Sequence, residues 1–400
     1  MSLLGTSMTA VIFPLLVYRM THSPLLTSLI SVCDVAPYPI FGLFAGALAD
    51  RVNRRRLMIT CDLLNMVLLG SVPLASVFHL LTLPQIYVVG LLSATAFVWF
   101  DAANFGAVPA LVGRGRLIAA NSALWTASTI VDIIGPSLAG ICAVLVGPAL
   151  TISADAASYA ISALSLALIP RAFSHMIQNE ERTRTWFRSA MRDIREGVRF
   201  LSGHALVRTL TILGIGNALT AGAVQGLLVV YGIRALGLTT TDPRIGLLFG
   251  AGATGALLSN LLLPLLVKRV AVGRITMITL FLNLLLLAAM AFSPTFLIGM
   301  LCYGLWLGCN HLININGIAL RQLVTPDNLQ SRVNASARMV MVAANPLGAA
   351  LGGLLAEQIS VRFALLIMAS GVALSLLLSW FSPLWEVPTP QAAEQEGTLV

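Results

Sequence analysis

GLFAGALADRVNRRRLMI occupies Gly42–Ile59. Asp50 and four arginines, Arg51, Arg54, Arg55 and Arg56, are crowded between two apolar runs. Each run is long enough to cross a bilayer, which takes about 20 apolar residues. Such a gap is a short polar turn joining two membrane helices, and its charge asks for a reason.

The whole chain has the same character. Its 400 residues are 58% hydrophobic and 10% charged, against about 25% charged in a soluble domain. Mean hydropathy is +0.90. A water-soluble fold of this length could not bury so much apolar surface, so the solvent is lipid. The runs are too long for the ten-residue dyads of an outer-membrane barrel. Backbone groups in lipid must be satisfied within their own segment, which makes the runs helices. Twelve spans are expected, six within residues 1–169 and six within 206–382. A polar linker, 170–205, divides them, and 383–400 forms a Pro- and Glu-containing tail. The first run, residues 1–18, rises about 27 Å, barely a span, and is read as a start lying upstream of Met1.

The net charge of +8 is a topology signal. If the Arg51 turn is cytoplasmic, all of the 24 basic residues share its side except Arg19, Arg234, Arg244 and Arg362. The positive-inside rule then puts both termini in the cytoplasm of an inner-membrane protein. Nucleic acid is not needed to explain the charge. In the linker, Trp186, Ala190, Met191, Ile194, Val198 and Leu201 recur at helical spacing with arginines on the other faces. That pattern suits an amphipathic helix on the inner leaflet. The five cysteines lie inside apolar runs with no metal-ligand spacing, so neither metal nor cofactor is expected. GxxxxGK[ST] is absent, which excludes an ATP-driven pump within this chain. No paired ligands or Ser–His arrangement points to an enzyme.

The halves repeat. Ala49–Ile59 aligns with Val267–Ile278, setting Asp50 against Lys268, and Leu111–Ala123 resembles Leu323–Ala337. Gly135-Pro136 matches Asn345-Pro346. Two six-helix halves in one orientation imply a pseudo-two-fold axis along the membrane normal and a midplane site.

GALADRVNRRR resembles the signature loop between helices two and three of the major facilitator superfamily. Gly135-Pro136 with Gly140 resembles a degraded antiporter motif of helix five. PLLVYRMTHSP, DAASYAISAL, TPDNLQSRVNAS and PLGAALGGLLAE resemble the branch containing macrolide-efflux and enterobactin-export proteins. The resemblance implies a monomeric, all-α transporter working by alternating access. It implies a conformational latch of Gly46, Asp50 and Arg54, with Gly46 permitting close approach and Asp50 facing a helix N-terminus, where the dipole favours an anion. The family's turn glycine is Asn53 here, a residue that tolerates the left-handed region.

Acids inside spans are costly and usually functional. Asp34, Asp101, Asp132 and Asp155 are candidates to carry a coupling proton, because burial favours the neutral form of a carboxyl. Asp34 stands near Pro37, which is expected to loosen the helix, at a place where family members often carry arginine. Asp132 continues a polar face with Ser122, Thr126 and Thr129. Asp155 serves equally well as a helix–helix hydrogen-bonding group. The family's acid after the helix-one glycine is missing, since Thr6 follows Gly5; Asp34 is read as a substitute. Asn104, Asn217, Gln225, Asn310, His311 and Asn314 are candidate cavity residues, or else interhelical hydrogen-bonding groups. Trp99, Phe100, Trp125 and Trp306 are candidates to contact an amphipathic substrate, or else to pack.

The expected partners are lipid, protons and a small molecule. The function read from this is a proton-driven exporter of amphipathic molecules such as macrolides. The alternatives are a dedicated siderophore or lysophospholipid carrier, and a transport-dead sensor or scaffold.

Overall fold

The structure is a computed structural model that describes residues 2–49, 52–112, 116–169, 195–326 and 329–382. Asp50, the linker up to Ile194 and the tail from Pro383 lie outside them. Among the described residues are twelve helices long and apolar enough to span a membrane. Spans one to six are Leu3–Thr21, Pro24–Gly42, Arg54–Val77, Leu83–Phe105, Ser122–Leu145 and Pro148–Leu168. Spans seven to twelve are Ala205–Ala235, Arg244–Val267, Val272–Ala291, Phe296–Gln322, Arg332–Gln358 and Val361–Trp380.

Short polar residues start several of these helices. The Ser23 hydroxyl accepts from the Leu26 amide at 3.1 Å, with Pro24 in the first turn, where its missing N–H costs nothing. Thr295 and Ser360 cap spans ten and twelve in the same way. Span two is two helices, Pro24–Val35 and Pro37–Ala49, broken at Ala36. Pro37 and Pro39 supply no amides there, so the ladder cannot run through. Span seven ends in a π-turn, Tyr231–Ala235.

Asn53 does not take the left-handed conformation. With φ −65° and ψ 106° it is extended, and its side chain caps span three by accepting from the Arg56 amide at 3.2 Å. The next arginine caps a different helix. Arg55 donates to the carbonyls of Leu166 and Ala167, at 2.9 and 2.5 Å, at the end of span six. The last carbonyls of a helix lack the regular i+4 amide, though the Ile169 amide reaches the Leu166 carbonyl at 3.4 Å, and a cation suits the negative end of the dipole. The crowded charge of the opening stretch thus has a structural use. Arg55→Ala is expected to lower stability by about 1 kcal/mol, read as thermal melting in detergent.

The chain forms two compact units. Unit 1 draws on Met1–Gln178 and Leu228–Gly250, unit 2 on Asn179–Leu227 and Ala251–Val400. In unit 1, span six packs along spans three and one, span four along three and two, and span five against span one. In unit 2, span nine packs on ten and twelve. Here small residues let backbones touch, since lipid offers no hydrophobic drive for helix pairing. A methyl group at Gly255 would sit 1.8 Å from the Gly304 carbonyl oxygen, where span eight crosses span ten. Linker residues 195–203 are helical, with Leu201 buried beside Val207, Val333 and Ala337. Glu196 pairs with Arg332 there.

Candidate functional site

Span six enters after Gly147-Pro148 and carries Asp155 about two turns in. Asp155 is 1% exposed. One carboxylate oxygen accepts from the Thr9 hydroxyl of span one at 2.5 Å, the other from Ser158 at 3.3 Å. One turn on, the Tyr159 hydroxyl and Thr6 Oγ1 lie 3.0 Å apart. Span one can approach because Gly5 lacks a side chain: a Cβ there would stand 2.2 Å from an Asp155 oxygen. The family's helix-one acid is missing after Gly5, and in this structure the carboxyl beside Gly5 comes from span six.

The other candidate acids are placed differently. Asp34 and Asp132 are exposed, and Asp101 and Asn104 half-buried. Ser122, Trp125 and Thr126 are exposed with Asp132, and Thr129 half-buried, while Ile130, Ile134, Leu138 and Ile141 expose a second, aliphatic face. A polar face at membrane depth requires water or protein rather than lipid.

Span five carries the Gly-Pro motif into two contacts. Gly135 lies against Ser7 of span one, where an added Cβ would be 1.8 Å from Oγ. On the other side, added Cβ atoms at Gly246 and Gly140 would sit 2.1 Å from the Pro136 carbonyl oxygen and 2.5 Å from that of Pro243. Segment 228–250 is therefore pressed onto span five backbone to backbone, within unit 1. A cation reinforces it. Arg234 donates to the Tyr18 hydroxyl at 2.9 Å and the His22 carbonyl at 2.7 Å, with its guanidinium 5.8 Å from the Tyr18 ring centroid. His22 has φ 53°, a left-handed conformation that a non-glycine residue adopts at a cost.

Asp242 orders the adjoining loop. Its carboxylate accepts from the Arg244 guanidinium at 2.6 Å and from the Arg244 amide at 2.9 Å. The Arg244 side chain, then its backbone N–H, hold this carboxyl below the usual range against the opposing effect of burial. A lowered carboxyl stabilises the fold above its unfolded value and loses that contribution as pH falls through the folded one. Asp242→Asn is expected to cost under about 1 kcal/mol at neutral pH, since Arg244 is half-exposed. The melting curves of variant and wild type should converge in acid.

In unit 2, three of the candidate amides join. The Asn310 amide donates to the Asn217 carbonyl oxygen at 3.0 Å, and Asn314 donates to that of Asn310 at 3.1 Å. Asn217 is fully buried, while Asn314 and His311 are exposed on span ten. The ladder links spans seven and ten and leaves its last amide open. Gln225 is exposed and takes no part in this ladder. Trp306 is fully buried and donates to Asn283 at 2.9 Å, which makes it a packing residue. Of the latch, Asp50 lies outside the described residues. Among the described residues, a methyl group at Gly46 would meet no atom within 4 Å.

Residues 1–397 match the transmembrane secretion effector family of the major facilitator superfamily. The chain belongs to this family. It is a multi-pass membrane transporter and not an enzyme. The enterobactin exporter EntS of Salmonella typhimurium is 28% identical over 94% of this chain and 88% of that protein. The EntS of Escherichia coli O157:H7 is 26% identical over 99% and 93%. Among solved structures, a bacterial homologue of the iron transporter ferroportin superposes on the transporter with TM-score 0.72 at 16% identity, covering 94% of this chain and 95% of that one. A bacterial Spinster homologue gives 0.75 at 11% identity, covering 96% and 94%. At such identities these structures speak for the fold alone.

Sequence reasoning missed two features of this site. Asp62 and Asn65 of span three are 0% and 1% exposed. An acid inside the apolar run that follows the arginine turn was signal enough to find them. Tyr18 and Arg234 are far apart in sequence, and nothing local announces their contact.

Proposed function

We propose that the transporter is a proton-coupled inner-membrane exporter of a catecholate siderophore or a close chemical relative. The observation that carries the substrate class is likeness to enterobactin exporters over nearly the whole chain. A local motif match would not carry it, because the loop motif belongs to the superfamily at large. Coupling is supported by Asp155, a carboxyl buried against span one and hydrogen-bonded by Thr9. In such a place the neutral acid is easily held, and the anion needs the donors that Thr9 and Ser158 provide. A movement of span one that withdrew Thr9 would release or bind one proton. The Asn217–Asn310–Asn314 ladder is the proposed polar contact for the substrate, through the open amide of Asn314. Both termini are proposed to be cytoplasmic.

The test is complementation. A strain that makes enterobactin but lacks its exporter should regain secretion when it expresses this chain, with the intracellular catechol pool falling. Unchanged secretion, with protein present in the membrane, would reject this substrate class. Macrolides and cationic dyes in the same strain test the broader exporter reading.

A further inference from the structure

Asp62 sits about two turns into span three, with Asn65 one turn beyond it. It is fully buried, and neither carboxylate oxygen completes a hydrogen bond; nor does the Asn65 side-chain oxygen. No described lysine, arginine or histidine side chain pairs with it. Its polar neighbour is Ser162 of span six, without a hydrogen bond of ordinary geometry. Cys61 adjoins it on its own span, and Tyr159 is within electrostatic reach from span six. Span four, packed on the other side, has two titratable groups: Tyr87, whose hydroxyl donates to the Leu26 carbonyl at 2.6 Å, and half-buried Asp101.

The position relative to Asp155 gives this acid a use. Asp155, Tyr159 and Ser162 have i, i+4, i+7 spacing and share one face of span six. Asp155 and Ser162 are separated by about 10 Å along the helix axis. Two buried carboxyls thus stand at different depths, one beside Thr9 and the other beside Ser162, with a buried phenol between them. An unpaired carboxylate in such surroundings is prohibitively costly, and a bound proton removes that cost. A purely structural role would be served as well by an apolar residue of similar volume.

We propose that Asp62 is a second proton-binding carboxyl of unit 1, in series with Asp155 through Tyr159 and Ser162. Its use in transport rests on the proton-coupled reading given above. Once Asp155 has given up its own proton, one proton leaves Asp62 and one arrives at Asp155. Each intervening hydroxyl accepts a proton on oxygen as it gives up its own, so no other bond changes.

The experiment is infrared spectroscopy of the purified full chain in liposomes near neutral pH. Wild type should show the carbonyl stretch of protonated carboxylic acids, shifted in D2O. Asp62→Asn should remove one component and Asp155→Asn another. A spectrum for Asp62→Asn that superimposes on wild type would overturn the proposal. If that variant fails to fold, dicyclohexylcarbodiimide labelling of wild type takes its place, because this reagent adds to protonated carboxyls in apolar surroundings. An adduct mapped by mass spectrometry to Asp62 is the expected result, and label on Asp155 with none on Asp62 would overturn it. Neither readout needs substrate. Absence of substrate-driven proton movement in wild type would therefore reject the coupling reading separately.

Discussion

Gly222→Val is expected to abolish the folded transporter. Spans seven and eleven meet through two reciprocal glycines: a Cβ at Gly222 would stand 1.9 Å from the Asn345 carbonyl oxygen, and one at Gly348 would stand 1.9 Å from that of Leu219. The clash at each site is with backbone, so no rotamer change relieves it. Overpacking where side chains can adjust costs about 1–3 kcal/mol; here two helices must part along their length, and the cost should exceed that range. Thr220 hydrogen-bonds the Met368 carbonyl at 2.8 Å, so parting spans seven and eleven would also disturb span twelve. The readout is the yield of monodisperse protein after detergent extraction. Gly317→Ala is the control. A methyl group there meets nothing within 4 Å, and alanine in a helix interior is favoured over glycine by about 1 kcal/mol. Yield equal to wild type for Gly222→Val would show that the two helices do not pack as described.

Asp155→Asn is expected to leave a folded protein that cannot accumulate substrate against a gradient. The asparagine carbonyl can still accept from Thr9, so the packing of spans one and six survives. What is lost is the group proposed to bind and release a proton. Uphill export into inside-out vesicles should fall to the level of vesicles without transporter, while downhill counterflow of the same substrate continues. Gly5→Ala offers an independent check. Its added methyl group would collide with Asp155, at 2.2 Å from an oxygen and 2.5 Å from Cα, so it should weaken span one packing and coupling together.

Much of this fold is written locally. Twelve apolar runs of spanning length, the break before Pro37 and the polar linker all follow from stretches of sequence short enough to read one at a time. Partners distant in sequence are not written that way. Arg55 announces itself as a charge at a membrane boundary, yet its acceptors at Leu166 and Ala167 are visible only once spans three and six are packed. Asn53 was readable as a turn residue, and its actual service as a helix cap depends on where span three begins. Among the acids, sequence ranks Asp34, Asp101 and Asp132 above Asp155, because depth in a span is legible and the facing helix is not. The glycine beside Asp155 belongs to another span. The cavity amides divide for the same reason: Asn310 and Asn314, one turn apart, read as a pair, whereas their continuation to Asn217 needed the packing of span seven.

Proton movement in proteoliposomes is the most direct test of the central claim. Wild-type and Asp155→Asn protein would be reconstituted with a pH-sensitive dye inside and an enterobactin gradient imposed across the membrane. Substrate entry should drive protons out, with the lumen turning alkaline in wild type and staying unchanged in Asp155→Asn. Substrate flux with no change in lumenal pH, or an identical pH change in both proteins, would contradict the account.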